Sequence, residues 1–291
     1  MAKTFGTAAA FKASLEARLR AVAAERAMPF ASLQLKFVME RLLARLFREP
    51  DPPWLLKGGF AMDLRFRPRA RTTKDVDLAV SLVAAGARGD AIDAVRDRLQ
   101  EAVDVDLGDH LTYRIGPPKQ ELTNAPGGGA RYPCEAVLLG KVYARFHVDV
   151  GLGDAAAEDP DRLVGDDLLA FAGIAPAAAL AIPPAAQFAE KLHAYSFPWS
   201  RRENTRTKDL VDLVLLIERG SLDAGKVRDA LRRTYTTRGT HPLPSSLPTP
   251  PAAWGRDFPA LAEEAGLSTG DHLAAFAILD RYWAENALGT G

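Results

Sequence analysis

Residues 55–80 read LLKGGFAMDLRFRPRARTTKDVDLAV. A short apolar run ends at Gly58-Gly59, an amphipathic stretch follows to Phe66, Pro68 stops it, and an alternating run begins at Thr73. The order this predicts is strand, glycine turn, short helix, basic loop, strand. Asp75 and Asp77 are two apart on the last strand, so their carboxylates project from one face while Val76 and Leu78 turn to the other. Two neighbouring acids repel each other, and a divalent cation between them removes the penalty. A bare D-x-D also suits a solvated strand face. The glycines tip the balance. A turn without side chains lets a backbone approach a ligand, and the first N–H groups of the following helix form an anion site. A phosphate cradle therefore stands sixteen residues ahead of a cation-binding pair.

A third carboxylate fits the pattern. Phe146-His147-Val148-Asp149-Val150 alternates as a strand, with His147 and Asp149 on one face. If this strand neighbours the Asp75 strand, three carboxylates converge, enough to hold two Mg²⁺ ions. Such ions activate a hydroxyl nucleophile and stabilise a leaving pyrophosphate. Asp154 lies beyond the strand in a Gly-flanked loop and ranks below Asp149. His110, His147, His241 and His272 show no metal-ligand spacing, and His193 reads as a packing or surface residue.

The chain has 291 residues, 47% hydrophobic and 25% charged, the make-up of an ordinary globular protein. Lys plus Arg and Asp plus Glu are each 37, which excludes nucleic-acid binding by bulk positive charge. Local basic clusters remain at Arg65, Arg67, Arg69, Arg71 and Lys74, at Arg201, Arg202, Arg206 and Lys208, and at Lys226, Arg228, Arg232, Arg233 and Arg238. No apolar stretch is long enough for a membrane span, and the N-terminus has no secretory apolar core, so no membrane and a cytoplasmic location are expected. A single cysteine, Cys134, excludes an intramolecular disulfide and a cysteine-based zinc site.

Helical periodicity predicts helices over 8–27, 31–46, 60–66 and 87–103, and strand patterns appear at 110–115, 132–139 and 142–151. From about residue 160 the composition turns Ala- and Leu-rich. Further helices are expected over 184–196, opened by Pro184, 207–219, closed by Gly220, 223–234, 259–264 and 271–286. The expected class is α+β. A mixed sheet with flanking helices occupies 1–160, and a helical bundle over 161–291 closes the active-site cleft.

The segment KGGFAMDLRFR…TTKDVDL resembles the opening motif of the nucleotidyltransferase superfamily. More narrowly, it is similar to the AbiEii/AbiGii-type toxin nucleotidyltransferases, relatives of the MenT toxins of toxin–antitoxin systems. AEKLHAYSF (189–197) resembles that family's second motif, with Lys191 as its lysine, and RTKDLVDL (206–213) its third. ASLQLKFVMERLLARL (31–46) is similar to the helix before the family's core. The likeness covers roughly residues 30–285. It departs at Gly58-Gly59-Phe60, where many members have Gly-Ser, so Thr72 or Thr73 would have to supply the hydroxyl.

The resemblance implies an enzyme that transfers a nucleotide from an NTP, with Mg²⁺ as cofactor. Asp75, Asp77 and Asp149 would be the metal ligands, and Lys191 and Asp209 would join them in catalysis. Gly58, Gly59, Thr73, Lys191, Arg206 and Asp212 would bind the nucleotide. A lysine is a flexible point charge suited to a triphosphate, although most helical lysines simply snorkel to the surface. Asp209 and Asp212 share a helix face, with Arg206 one turn before Asp209. Implied partners are the 3′ end of tRNA as acceptor, with growth arrest as the outcome, and a cognate antitoxin. The alternative is a nucleotide-binding regulatory protein that keeps the fold and transfers nothing.

Overall fold

The computed structural model describes residues 5, 7–67, 73–81, 91–122, 126–153, 159–199 and 203–289. Arg69, Arg71, Thr72, Asp154, Arg201 and Arg202 lie outside the described residues. The chain divides into two units, one of residues 1–64 and 73–181, the other of 65–72 and 182–291.

In the first unit, the hydroxyl of Thr7 accepts from the Ala10 N–H and starts α1 (Ala8–Glu25). Phe11, Leu15 and Leu19, at four-residue spacing, are fully buried on one stripe. Pro29 precedes α2 (Phe30–Leu46), which packs against α1. β1 (Trp54–Lys57) then runs directly into α3 (Gly58–Phe66). β2 (Asp75–Val80), α4 (Ala91–Val103), β3 (Leu111–Ile115), β4 (Gln120–Glu121), β5 (Gly129–Leu138) and β6 (Lys141–Leu152) follow.

The sheet has the order β3-β5-β6-β2-β1-β8-β7, with β4 on β5; β7 is Asp161–Val164 and β8 is Ala178–Ala181. β2 lies antiparallel to β1 and parallel to β6, so the sheet is mixed as expected. Val76, Leu78, Val148 and Val150 all lie buried in the apolar core beneath the central strands.

The boundary expected after residue 160 is corrected here. Residues 161–181 remain with the sheet, and β8 pairs β1 in parallel through Leu56 and Ala181. Their Ala- and Leu-rich composition suits a helix locally, but an Ala-rich strand fits wherever a neighbouring strand takes up its backbone hydrogen bonds.

A buried ion cluster fastens α2 to the start of β3. The Asp109 carboxylate accepts from Arg41 Nε at 2.7 Å, from Arg45 at 2.7 and 2.9 Å, and from the Leu111 N–H at 3.1 Å. Burial alone pushes this carboxyl up, but the two guanidiniums outweigh it and hold the group below its usual range.

The second unit is helical: α5 (Pro184–Tyr195), α6 (Thr207–Arg219), α7 (Ala224–Arg238), α8 (Phe258–Ala265) and α9 (His272–Glu285). Asp223 caps α7 and Asp271 caps α9 through the third N–H of each helix. α6 is the buried spine, with every residue from Leu210 to Leu216 in the core. No helix among the described residues is long and apolar enough to cross a membrane.

Candidate functional site

Three strands arrange the acidic residues of the first unit. β2 and β6 pair with Asp75 opposite His147 and Asp77 opposite Asp149. Residues directly opposite each other share a sheet face. Asp75, Asp77, His147 and Asp149 therefore lie on one side, while Val76 and Val148 fill the core on the other. The two separate period-two patterns thus meet on one face of the sheet.

The same row extends in both directions. On β1, Lys57 stands opposite Asp77, and on β5, Arg131 stands opposite Asp149. A cross-strand row thus runs Arg131, Asp149, Asp77, Lys57: cation, anion, anion, cation. Arg131 grips Asp149 with Nε to Oδ1 at 2.8 Å and Nη2 to Oδ2 at 2.7 Å. Its Nη2 also lies 3.6 Å from Asp75 Oδ2. The Asp149 hydrogen bonds, reinforced by the nearby Asp75 and Asp77 charges, raise the guanidinium above its ordinary value. His147 Nδ1 approaches Asp75 Oδ1 at 3.4 Å. His147, read from sequence as unremarkable, belongs to this site.

Gly58 closes the site from the β1–α3 turn. It has φ +65, a left-handed conformation that favours glycine. A Cβ placed on it would lie 2.0 Å from Asp77 Oδ2. The Asp77 carboxylate therefore packs on side-chain-free backbone at the start of α3. Gly59 is buried in the first turn of that helix. The Thr73 hydroxyl, expected to replace a serine, makes a long 3.4 Å hydrogen bond to the Asp75 carbonyl at the head of β2.

The donor set suits a hard divalent cation only in part. Mg²⁺ is commonly held by one or two carboxylates, with water and substrate phosphates completing its shell. Asp75 and Asp77, on one face beside the Gly58 turn, match that requirement. The expected three-carboxylate metal centre is not formed: among the described residues, no three His, Cys, Asp or Glu side chains are placed to hold a metal together. The physical reason is Arg131, which engages both oxygens of Asp149.

The remaining candidates form a cluster within the helical unit. Lys191, on α5, places Nζ 2.8 Å from Asp212 Oδ2 and 3.2 Å from Asp209 Oδ1, both on α6. Its neighbours Phe188, Leu192 and Tyr195 are buried. Lys191 is therefore a largely buried, doubly paired lysine rather than a snorkelling one. Arg206, at the α6 N-terminus, lies 3.7 Å from Asp209 Oδ2, with its guanidinium over the Trp199 ring. In the third basic cluster Arg238 turns to Glu190 at 3.4 Å, whereas Lys226, Arg232 and Arg233 are exposed. His193 is buried and hydrogen-bonds the Thr240 hydroxyl at 3.0 Å.

Sequence reasoning missed Lys57 and Arg131. Lys57 abuts the glycine pair and could have been flagged by position. Arg131 sits in an alternating stretch with no motif around it, and only the β5–β6 register brings it to Asp149.

Residues 41–280 match the family described as nucleotidyl transferase AbiEii toxin, Type IV TA system. No curated protein matches the chain. Among solved structures the chain is similar to MenT4, a nucleotidyltransferase toxin from Mycobacterium tuberculosis, with 19% identity and a TM-score of 0.56 over 94% of this chain and 97% of that one. It is also similar to an antigenic nucleotidyltransferase-like protein from Paracoccidioides brasiliensis, with 17% identity and a TM-score of 0.36 over 71% of this chain and 89% of that one, too slight a likeness to bear on the fold.

Proposed function

We propose, since the chain belongs to the AbiEii family of nucleotidyltransferase toxins of toxin–antitoxin systems, that it moves a nucleotide from an NTP to the 3′ end of tRNA with the help of Mg²⁺. The observation that carries this reading is the β2–β6 register, which puts Asp77 beside Asp149 and Asp75 beside His147 on one face.

Asp75 and Asp77 would hold the ion, and its chemistry there would be to neutralise charge on the phosphates and favour departure of pyrophosphate. The chain's own contribution is positioning. Gly58 and Gly59 bring backbone and a helix N-terminus toward the phosphates without a side chain in the way. Lys57 and Arg131 flank the two central carboxylates and set the charge of the row. Asp149, oriented by Arg131, would serve the acceptor hydroxyl. Such positioning and electrostatic stabilisation supply most of the catalysis in phosphoryl chemistry.

For Lys191 we keep the triphosphate role, with Asp209 and Asp212 holding its amine and Arg206 and Thr73 as further nucleotide contacts. A raised KM for NTP in Lys191→Arg, with the fold retained, is the result expected of that role. The tRNA acceptor, a cognate antitoxin and a cytoplasmic setting belong to the same proposal.

The test incubates the protein with each α-labelled NTP, Mg²⁺, total RNA and cell extract, then separates tRNA, protein and small molecules. Label in the tRNA fraction, absent with Asp75→Ala, is the expected result. A protein that stays toxic and labels nothing with any NTP overturns the transferase reading, and label in another fraction overturns the choice of acceptor.

A further inference from the structure

Arg131 stands where a three-carboxylate site would need a second metal ion. It sits directly across from Asp149 in the β5–β6 register. Its two nitrogens take one lone pair from each Asp149 oxygen, at 2.8 and 2.7 Å, in the planar bidentate geometry that suits guanidinium and carboxylate. The same Nη2 leans 3.6 Å from Asp75, so the guanidinium spans two of the three acids. A dication bridging Asp149 would have to displace this fixed positive charge or sit against it.

We infer that Arg131 is a built-in cation that takes the place of a second divalent ion, so that the site holds one ion, on Asp75 and Asp77, and uses the guanidinium to neutralise Asp149. This rests on the nucleotidyltransferase reading for its purpose but not for its measurement. The charge count agrees. Asp75, Asp77 and Asp149 supply three negative charges, and Arg131 and Lys57 supply two positive ones. One divalent ion inverts that small excess, and a second would place like charges side by side. An arginine also keeps its charge at any physiological pH and needs no supply of metal, so the Asp149 side stays neutralised before any ion or NTP arrives.

The experiment counts Mn²⁺ bound to the nucleotide-free protein by electron paramagnetic resonance and by calorimetry. Wild type should take up one Mn²⁺ per chain. Arg131→Gln, which removes the charge and withdraws the side chain from Asp149 while staying polar, should take up two, or bind the first at least tenfold more tightly. Arg131→Lys should stay at one. The Arg131 side chain is about one-third exposed, so these replacements leave the core untouched, and circular dichroism checks that they do.

Two Mn²⁺ on the wild type, or an Arg131→Gln protein indistinguishable from wild type, overturns the inference and leaves the transferase reading standing. No Mn²⁺ on any variant overturns the inference, and the labelling assay alone then decides the transferase reading. The expected ion counts, together with failure to label any acceptor, keep the inference and sink the transferase reading.

Discussion

Two aspartates in the sheet unit are each gripped by arginine through both oxygens, and their surroundings are opposite. Asp109 and Arg45 have no exposed side-chain surface, and Arg41 adds a second guanidinium. There positive charge exceeds negative and the carboxylate oxygens are saturated by donors. Asp149 is paired with a single, partly exposed Arg131 on a face that also carries Asp75 and Asp77. There the acids outnumber the guanidinium. A buried, saturated pair has no capacity left for a ligand, and its removal harms the fold. A half-open pair with excess acid carries a repulsion that a bound cation would relieve. The same side-chain chemistry thus saturates a carboxylate in one place and leaves excess acid in the other, and solvent and stoichiometry decide which.

The largest expected effect separates the two directly. Asp75→Ala should lower nucleotide transfer by about four orders of magnitude, on the order of 5 kcal/mol of transition-state stabilisation. Its thermal midpoint should be equal to or above that of wild type, because one repelling charge is gone. A variant that unfolds instead would mean that the open cluster is structural after all.

Asp109→Ala should do the reverse. Leaving Arg41 and Arg45 buried without their carboxylate costs about 3–5 kcal/mol, read as a lower denaturant midpoint, while transfer per folded molecule stays unchanged. A loss of transfer larger than the loss of folded protein would break the distinction.

Gly58→Ala sharpens the reading of the open site. Its φ of +65 and the 2.0 Å approach to Asp77 Oδ2 allow no Cβ without movement. The strain is about 1–2 kcal/mol, and Mn²⁺ affinity should fall as Asp77 is pushed aside. An unchanged affinity would remove Asp77 from the ion site.

Acid titration probes the closed pair. The folded Asp109 value lies below the unfolded one, so its contribution is complete above the unfolded value near pH 4. It is lost as pH falls from there through the folded value, by at most about 1.4 kcal/mol per pH unit. Asp109→Asn should flatten the acid limb of the stability curve measured by denaturant titration, and an unaltered limb would place the acid sensitivity elsewhere. The smallest effect belongs to an exposed control: Arg145 pairs with Glu135 at 2.9 Å with most of its side chain in solvent. Arg145→Ala should change stability by less than about 1 kcal/mol.

Much of this was legible locally. Periodicity and caps placed α6 over Thr207–Arg219 to the residue, and the strand–GG–helix–strand order of residues 54–80 is as read. The short strands were not. β4 has two residues, and β7 and β8 lie in an Ala- and Leu-rich stretch whose pattern suits a helix equally well. Such segments become strands because a neighbouring backbone lies open to them, which no window of local sequence contains.

The site divides along the same line. Sequence by itself determined that Asp75 and Asp77 share a face, that His147 and Asp149 share another, and that a side-chain-free turn precedes them, because side-chain direction along a strand is a local property of the backbone. Only the tertiary structure decided that those two faces are one, that Arg131 and Lys57 complete the row, and that Lys191 is bound to Asp209 and Asp212 rather than open to solvent. Strand register and helix packing are chosen by the burial of apolar residues from distant parts of the chain. The charged residues are carried into place by that choice, and nothing in their own neighbourhood of sequence announces where they will arrive.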